Sequence, residues 1–232
     1  MQSLELRRSP TADYGATVQS SVLLTPTIKA LRLRLEGDEF RFLPGQSVWT
    51  KFERDGRTFT KIYSIASSPS QCPEVELCIS RVGWSSSLMH ELQVGQSLRV
   101  RAPYGLMTLK TLPDRPRLYI AEGSGIAPLK SQIDWLHESG FQHPVWLLQA
   151  NPETPAALPY QEHWRSLARS WARFHYHPAI TPEETLASLG LELREMNVEI
   201  CAVGDRTEQI HTAVLALGAE LDQVRSEKFI AF

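Results

Sequence analysis

The hydrophobic pattern of this chain changes once, at Leu112-Pro-Asp-Arg-Pro116, and that change limits the folds it can adopt. Before the break, Val18–Leu24, Ala30–Leu35, Ser47–Phe52, Val75–Ser80 and Ser97–Arg101 alternate apolar and polar residues, or nearly so. Alternation at period two marks strands buried on one face. Gly37-Asp38, Pro44-Gly45, Asp55-Gly56 and Pro103-Tyr-Gly105 punctuate these runs as turns. Short strands so closely spaced predict an antiparallel barrel or sandwich, with one short helix over Ser86–Leu92.

After the break, strands alternate with helices. Arg117–Ala121, Val145–Leu148, Arg173–Tyr176 and Val198–Val203 read as strands. Helices are predicted from the Glu122–Pro128 turn to Ser139-Gly140, over Gln161–Arg169, and from Thr181-Pro-Glu-Glu184. The last start has an N-cap, a proline at the first helical position and a carboxylate at the third. Asp205 is expected to cap a final helix that Gly218 ends. Such alternation predicts a doubly wound parallel sheet. The expected fold is two-domain: an N-terminal antiparallel β-barrel over 1–111 and a C-terminal α/β doubly wound parallel sheet over 112–232.

A length of 232 residues, 42% hydrophobic and 22% charged, suits one large globular domain or two ordinary ones. A net charge of -2 and the lack of a basic stripe argue against a nucleic-acid partner. No apolar run reaches membrane-spanning length, and Met1–Asp13 has no apolar core of a signal peptide. Cys72, Cys78 and Cys201 form neither a disulfide framework nor a four-cysteine iron–sulfur site. A cytoplasmic protein, monomeric or dimeric, is expected.

Four short motifs carry chemistry. In an extended strand, Lys61 and Tyr63 share one face and Ser64 takes the other. A cation beside an aromatic ring suits a ligand with a phosphate and a planar heterocycle, as in a flavin nucleotide. Val82-Gly83-Trp-Ser85-Ser86-Ser-Leu88 sets hydroxyls at a helix start, suited either to a pyrophosphate or to capping. Gly123-Ser124-Gly125-Ile-Ala-Pro128 follows a strand and opens a helix, which fits a nucleotide phosphate or an ordinary strand-to-helix turn. Gly204-Asp205 ends the later strand, where open α/β sheets bind ligands. The seven histidines give no metalloprotease pattern, although His175 and His177 share a strand face, and no metal site is expected. No Gly-x-Ser-x-Gly elbow is present.

The order of motifs is more specific than any one of them. Pro44-Gly45-Gln46, Lys61-x-Tyr63-Ser64, Gly83-x-Ser85 with Leu88, Pro103-x-Gly105, Gly123–Pro128, Gly204-Asp205 and Glu227-Lys-Phe229 follow one another. The series resembles the ferredoxin–NADP⁺ reductase superfamily along nearly the whole chain, most of all its compact flavin-reductase and oxygenase-reductase members. The resemblance implies a six-stranded antiparallel barrel holding FAD, less often FMN, and a second domain receiving NADH or NADPH. It implies that Lys61 pairs the flavin phosphate, Tyr63 flanks the isoalloxazine, and Ser64 bonds near flavin N5. Gly83, Ser85 and Ser86 would cradle the pyrophosphate. Gly123, Ser124, Gly125 and Pro128 would receive the nicotinamide nucleotide. Gly204 and Asp205 would line the nicotinamide, and Glu227 would sit near the reactive ring edges. The implied reaction is hydride transfer from nicotinamide C4 to flavin N5, with Ser64, Tyr63 and Glu227 closest to the chemistry. Electrons would then pass to a ferredoxin or flavodoxin, an oxygenase component, free flavin or a ferric chelate.

Three residues depart from the family pattern: Lys61 for arginine, Glu122 for the first glycine of the nucleotide turn, and Val203 for cysteine. Cys201 lies two positions earlier on the face of Val203. Gln149-Ala-Asn-Pro lacks the arginine that often marks a 2′-phosphate site in the family, which favours NADH. Arg206 and Lys130 are the cations that would reverse that preference. The departures also leave open a non-catalytic flavin- or nucleotide-binding subunit or redox sensor. A flavin-free dehydrogenase is a third reading.

Overall fold

The computed structural model describes residues 6–54, 56–151 and 157–229. Asp55 of the Asp55-Gly56 turn and Pro152 of the Gln149–Pro152 segment lie outside the described residues.

The first sheet has six strands: β1 (Ala12–Leu23), β2 (Ile28–Leu35), β3 (Ser47–Arg54), β4 (Arg57–Ser64), β5 (Glu74–Ser80) and β6 (Ser97–Tyr104). All its pairings are antiparallel, in the order β4-β3-β6-β1-β2-β5. A bridge between Ile65 and Leu77, with Ala66 N–H donating to Glu76 O at 2.6 Å, joins the two ends. The predicted barrel is therefore present, and its side-chain alternation explains it. Leu31 and Leu33 face Leu77 and Val75 across β2 and β5 and are fully buried. Between them, Arg32 turns outward to Glu74 and Glu76 at 3.6 and 3.5 Å. β1 begins at Ala12 rather than Val18: Ala12, Tyr14, Ala16 and Val18 alternate with Asp13, Gly15 and Thr17, a signal weakened by the small Ala and Gly side chains, and a bulge shifts the register between Val18 and Ser20. Helix α1 (Trp84–Glu91) starts before the predicted Ser86.

The second sheet is parallel: β7 (Arg117–Glu122), β8 (Val145–Ala150), β9 (Phe174–Pro178), β10 (Asn197–Val203) and β11 (Val224–Phe229), ordered β11-β10-β7-β8-β9. Helices α2 (Ile126–Glu138), α3 (Gln161–Ser170), α4 (Pro182–Leu189) and α5 (Arg206–Ala216) connect them. The chain runs outward from β7 to β9, then returns to place β10 on the other side of β7. That reversal leaves a crevice at the carboxyl ends of β7 and β10. β11 was not predicted, since Val-Arg-Ser-Glu-Lys-Phe is too polar to read as a strand. Its charges suit the sheet edge it occupies.

The two sheets share a core. Ile28, Ala66, Cys78, Met107 and Leu109 of the first half pack in one cluster with Ile126, Leu129 and Ile133 of α2. Helix α2 is buried along most of its length, including Lys130 and Asp134. Burial works to raise the Asp134 carboxyl, but Lys130 at 2.8 Å and His163 at 2.7 Å outweigh it and hold it below the usual range. Deeper in the sheet, Arg117 of β7 pairs with Glu199 of β10, both almost fully buried. No helix among the described residues is long and apolar enough to cross a membrane.

Candidate functional site

Where the barrel meets the carboxyl edge of the parallel sheet, a cleft holds about 750 Å³ of space, part of it continuous with solvent. β4 contributes Lys61, Ile62, Tyr63 and Ser64; β5 contributes Cys78, Ile79 and Ser80. Val82, Ser85 and Ser86 enter from the start of α1, and Ser124, Val203 and Phe229 from the parallel sheet. The cleft lies across the end of β4, so residues from both strand faces reach it. Ser64 closes that strand, is buried, and lies 3.4 Å from the Ser47 hydroxyl. Burial pushes the Tyr63 phenol up to about 12, opposed by a hydrogen bond from Ser85. The ring is therefore neutral at physiological pH.

The serines divide their work. Ser86 Oγ accepts N–H bonds from Val82 at 3.0 Å and Gly83 at 2.9 Å, and donates to Gly83 O at 2.9 Å. Its hydroxyl caps α1, while Ser85 engages Tyr63. Across the cleft, Ser80 donates to Ser124 at 2.9 Å, linking barrel to nucleotide turn. Nothing in the local pattern singled out Ser80. Ser80 ends β5, and it is this position at the strand end that brings it to the cleft.

The turn after β7 uses its glycines differently. Gly123 has φ 56, a left-handed conformation that glycine adopts without strain. Gly125 has an ordinary helical φ of -59, but a Cβ there would lie 2.3 Å from the Cys201 carbonyl oxygen. Gly125 thus lets the turn press onto β10. Pro128 sits in the first turn of α2, where its missing N–H has no helical partner to lose.

On the far wall, Val203 is 38% exposed and lines the cleft, whereas Cys201 is fully buried beneath it. Burial pushes the Cys201 thiol well above its usual range, so it is an inert packing group. Gly204 donates its N–H to Phe229 O at 2.9 Å, fixing that ring's strand beside the cleft. Asp205 does not cap α5 with its side chain. Its exposed carboxylate meets Lys228 at 3.1 Å, a long-range pairing that local sequence could not show. Glu227 pairs in register with Cys201, two residues before Phe229, and does not line the cleft. Burial and the nearby Glu199 charge raise its carboxyl.

The cleft thus gathers Lys61, Tyr63, Ser64, Ser85, Ser86 and Ser124 and leaves Gly123, Gly125, Pro128, Gly204, Asp205 and Glu227 in its supports. A lysine, a neutral phenol, several hydroxyls and the apolar Ile62, Ile79, Val82 and Phe229 fit a planar heterocycle with a polar rim and a phosphate. Among the described residues, no group of three or more His, Cys, Asp or Glu could hold a metal ion.

The oxidoreductase FAD-binding domain family model matches residues 15–109. The phenol hydroxylase P5 protein of Acinetobacter pittii (strain PHEA-2) is 36% identical over 172 residues, 72% of this chain and 47% of that protein. Reductase component 1 of the terephthalate 1,2-dioxygenase of Comamonas sp is 32% identical over 176 residues, 72% of this chain and 50% of that protein. The chain thus spans about half the length of these curated relatives. Among solved structures, the FAD/NAD-binding domain of the Vibrio cholerae O1 biovar El Tor nitric oxide dioxygenase superposes with a TM-score of 0.79 at 19% identity. That likeness covers 94% of this chain and 98% of that one. Residues 15–109 thus match an oxidoreductase FAD-binding domain, and the barrel with its parallel sheet has the two-domain fold of the nitric oxide dioxygenase's FAD/NAD-binding domain.

Proposed function

We propose that this chain is an NAD(P)H-dependent flavoprotein reductase that binds FAD in the barrel and passes electrons to an oxygenase component. The observation that carries this reading is the single cleft joining Lys61, Tyr63 and Ser64 of β4 to Ser124, Val203 and Phe229 of the parallel sheet. A ring held by the barrel there is within reach of a nucleotide on the sheet.

In this reading residues 1–111 hold the flavin and 112–232 the nicotinamide nucleotide. Lys61 supplies the charge for the flavin phosphate as a point cation, without an arginine's fork. Tyr63 covers one ring face, and Ser64 donates near the reactive nitrogen. Ser85 and Ser86, in the first turn of α1, face the pyrophosphate, while the Gly83 N–H bond to Ser86 Oγ holds the helix start rigid. Gly123 to Pro128 present the nicotinamide nucleotide, and Val203 with Gly204-Asp205 forms the wall beside its ring. Glu227, on β11 below that wall, supports it from outside the cleft, its carboxyl raised by burial and the nearby Glu199 charge. Bound flavin and nicotinamide would supply the hydride chemistry. The protein supplies alignment and a partly dry site. The two oxygenase-system relatives support an oxygenase component as acceptor. A cytoplasmic setting suits a reduced nicotinamide donor.

Lys61→Ala tests the flavin role. Purified variant protein is expected to lose most of its bound flavin, measured by absorbance after heat release, because one charge-assisted phosphate bond is worth about 1.5–3 kcal/mol. Flavin retained at the wild-type level would refute the assignment.

A further inference from the structure

The crevice between β7 and β10 is spanned by an ion pair. Glu122 ends β7, and Arg206 opens α5 directly after β10 and Gly204-Asp205. Arg206 Nη2 and Nε both donate to Glu122 Oε1, at 2.9 and 3.2 Å. Glu183, at the start of α4, takes the rest of the guanidinium, with Nη1 at 2.8 Å and Nη2 at 3.0 Å. Nη1 also donates to Gln209 at 2.6 Å, so every nitrogen of this cation is committed.

The neighbouring cations are committed as well. Lys228 lies 3.1 Å from Asp205 and 3.0 Å from Glu208. Lys130 is buried between Asp134 at 2.8 Å and Glu76 at 3.8 Å. Around the mouth of the crevice, Glu122, Glu183, Asp205 and Glu208 carry four formal negative charges. Arg206 and Lys228 carry two positive ones, leaving a formal balance of -2. Glu122 is 1% exposed, and its Oε2 is buried with no hydrogen-bond partner among the described residues. This negative charge is fixed in place and only half compensated.

A ribose 2′-phosphate adds about 1.5–2 negative charges at neutral pH and needs uncommitted cations to bind. A ribose 2′-hydroxyl adds none. Selectivity built on repulsion requires the charge pattern found here.

We propose that Glu122 is the coenzyme-selecting residue: with Glu183 it commits Arg206, so the crevice accepts NADH and rejects the 2′-phosphate of NADPH. This rests on the reductase reading above.

The test is calorimetric titration of the full chain with NAD⁺ and NADP⁺, which bind without reducing a flavin. Wild-type protein is expected to bind NAD⁺ at least about tenfold more tightly. Glu122→Gln and Glu183→Gln are each expected to shrink that ratio about tenfold, chiefly by strengthening NADP⁺. Should Glu122→Gln misfold, Glu183→Gln carries the test, since its side chain is only partly buried. Equal or tighter NADP⁺ binding by the wild type, binding of neither nucleotide, or an unchanged ratio in a folded variant would overturn the proposal. Flavin reduced by NADPH alone would overturn it while leaving the reductase reading intact. Flavin reduced by neither coenzyme would overturn the reductase reading itself.

Discussion

Gly125→Ala is expected to slow flavin reduction by NADH about a hundredfold while leaving the flavin bound. The added Cβ would lie 2.3 Å from the Cys201 carbonyl oxygen and 2.8 Å from its carbon, both backbone atoms of β10. No rotamer change relieves such a contact. The turn must move off the strand, at an overpacking cost of about 1–3 kcal/mol. A displacement of about 1 Å at a positioning element can cost about 10²-fold in rate. The barrel residues Lys61, Tyr63 and Ser64 are untouched, so flavin content stays near wild type. Anaerobic stopped-flow absorbance, with flavin content measured in parallel, checks both halves. A wild-type reduction rate would show that the close packing of the turn on β10 has no part in alignment.

Arg117→Met is expected to destabilise the fold by about 3–5 kcal/mol, because it leaves Glu199 as an uncompensated buried charge. Arg117 and Glu199 have side-chain exposures of 2% and 1%, so water cannot take over the lost contact. Arg117 Nε and Glu199 Oε2 lack partners among the described residues, and the guanidinium's other neighbour is the Tyr119 ring, 5.5 Å from it, which cannot replace the lost cation. Removing both charges in Arg117→Met/Glu199→Leu should recover most of the loss, since apolar replacement of a buried pair is often neutral or stabilising. Urea unfolding of the single and double variants measures this coupling. Additive losses would contradict it.

The fold was legible where one face of an element is buried. Alternation in β2 and β5 survives because Leu31, Leu33, Val75 and Leu77 fill the barrel while Arg32, Glu74 and Glu76 face out. β11 was illegible because an edge strand buries little, and its charges follow no simple period. In the site, the β4 residues and the glycine turns were legible from motif order. Val203 was legible as the residue at the family's cysteine position, but Ser80 and Phe229 were not assigned to the cleft, because their approach depends on how the two sheets share a core. Long-range ion pairing was also hidden. Asp205 has the right type and position for an N-cap, yet its carboxylate meets Lys228. Arg206 looked like a cation for a phosphate until Glu122 and Glu183 were found around it.

In the proposed function, the β4 cleft holds a flavin that a nicotinamide coenzyme on the parallel sheet can reduce. Anaerobic addition of NADH to the purified protein, followed by visible absorbance, tests it most directly. Yellow protein whose flavin bands bleach within seconds is the expected result. Colourless protein, or bound flavin that bleaches with neither NADH nor NADPH, would contradict it.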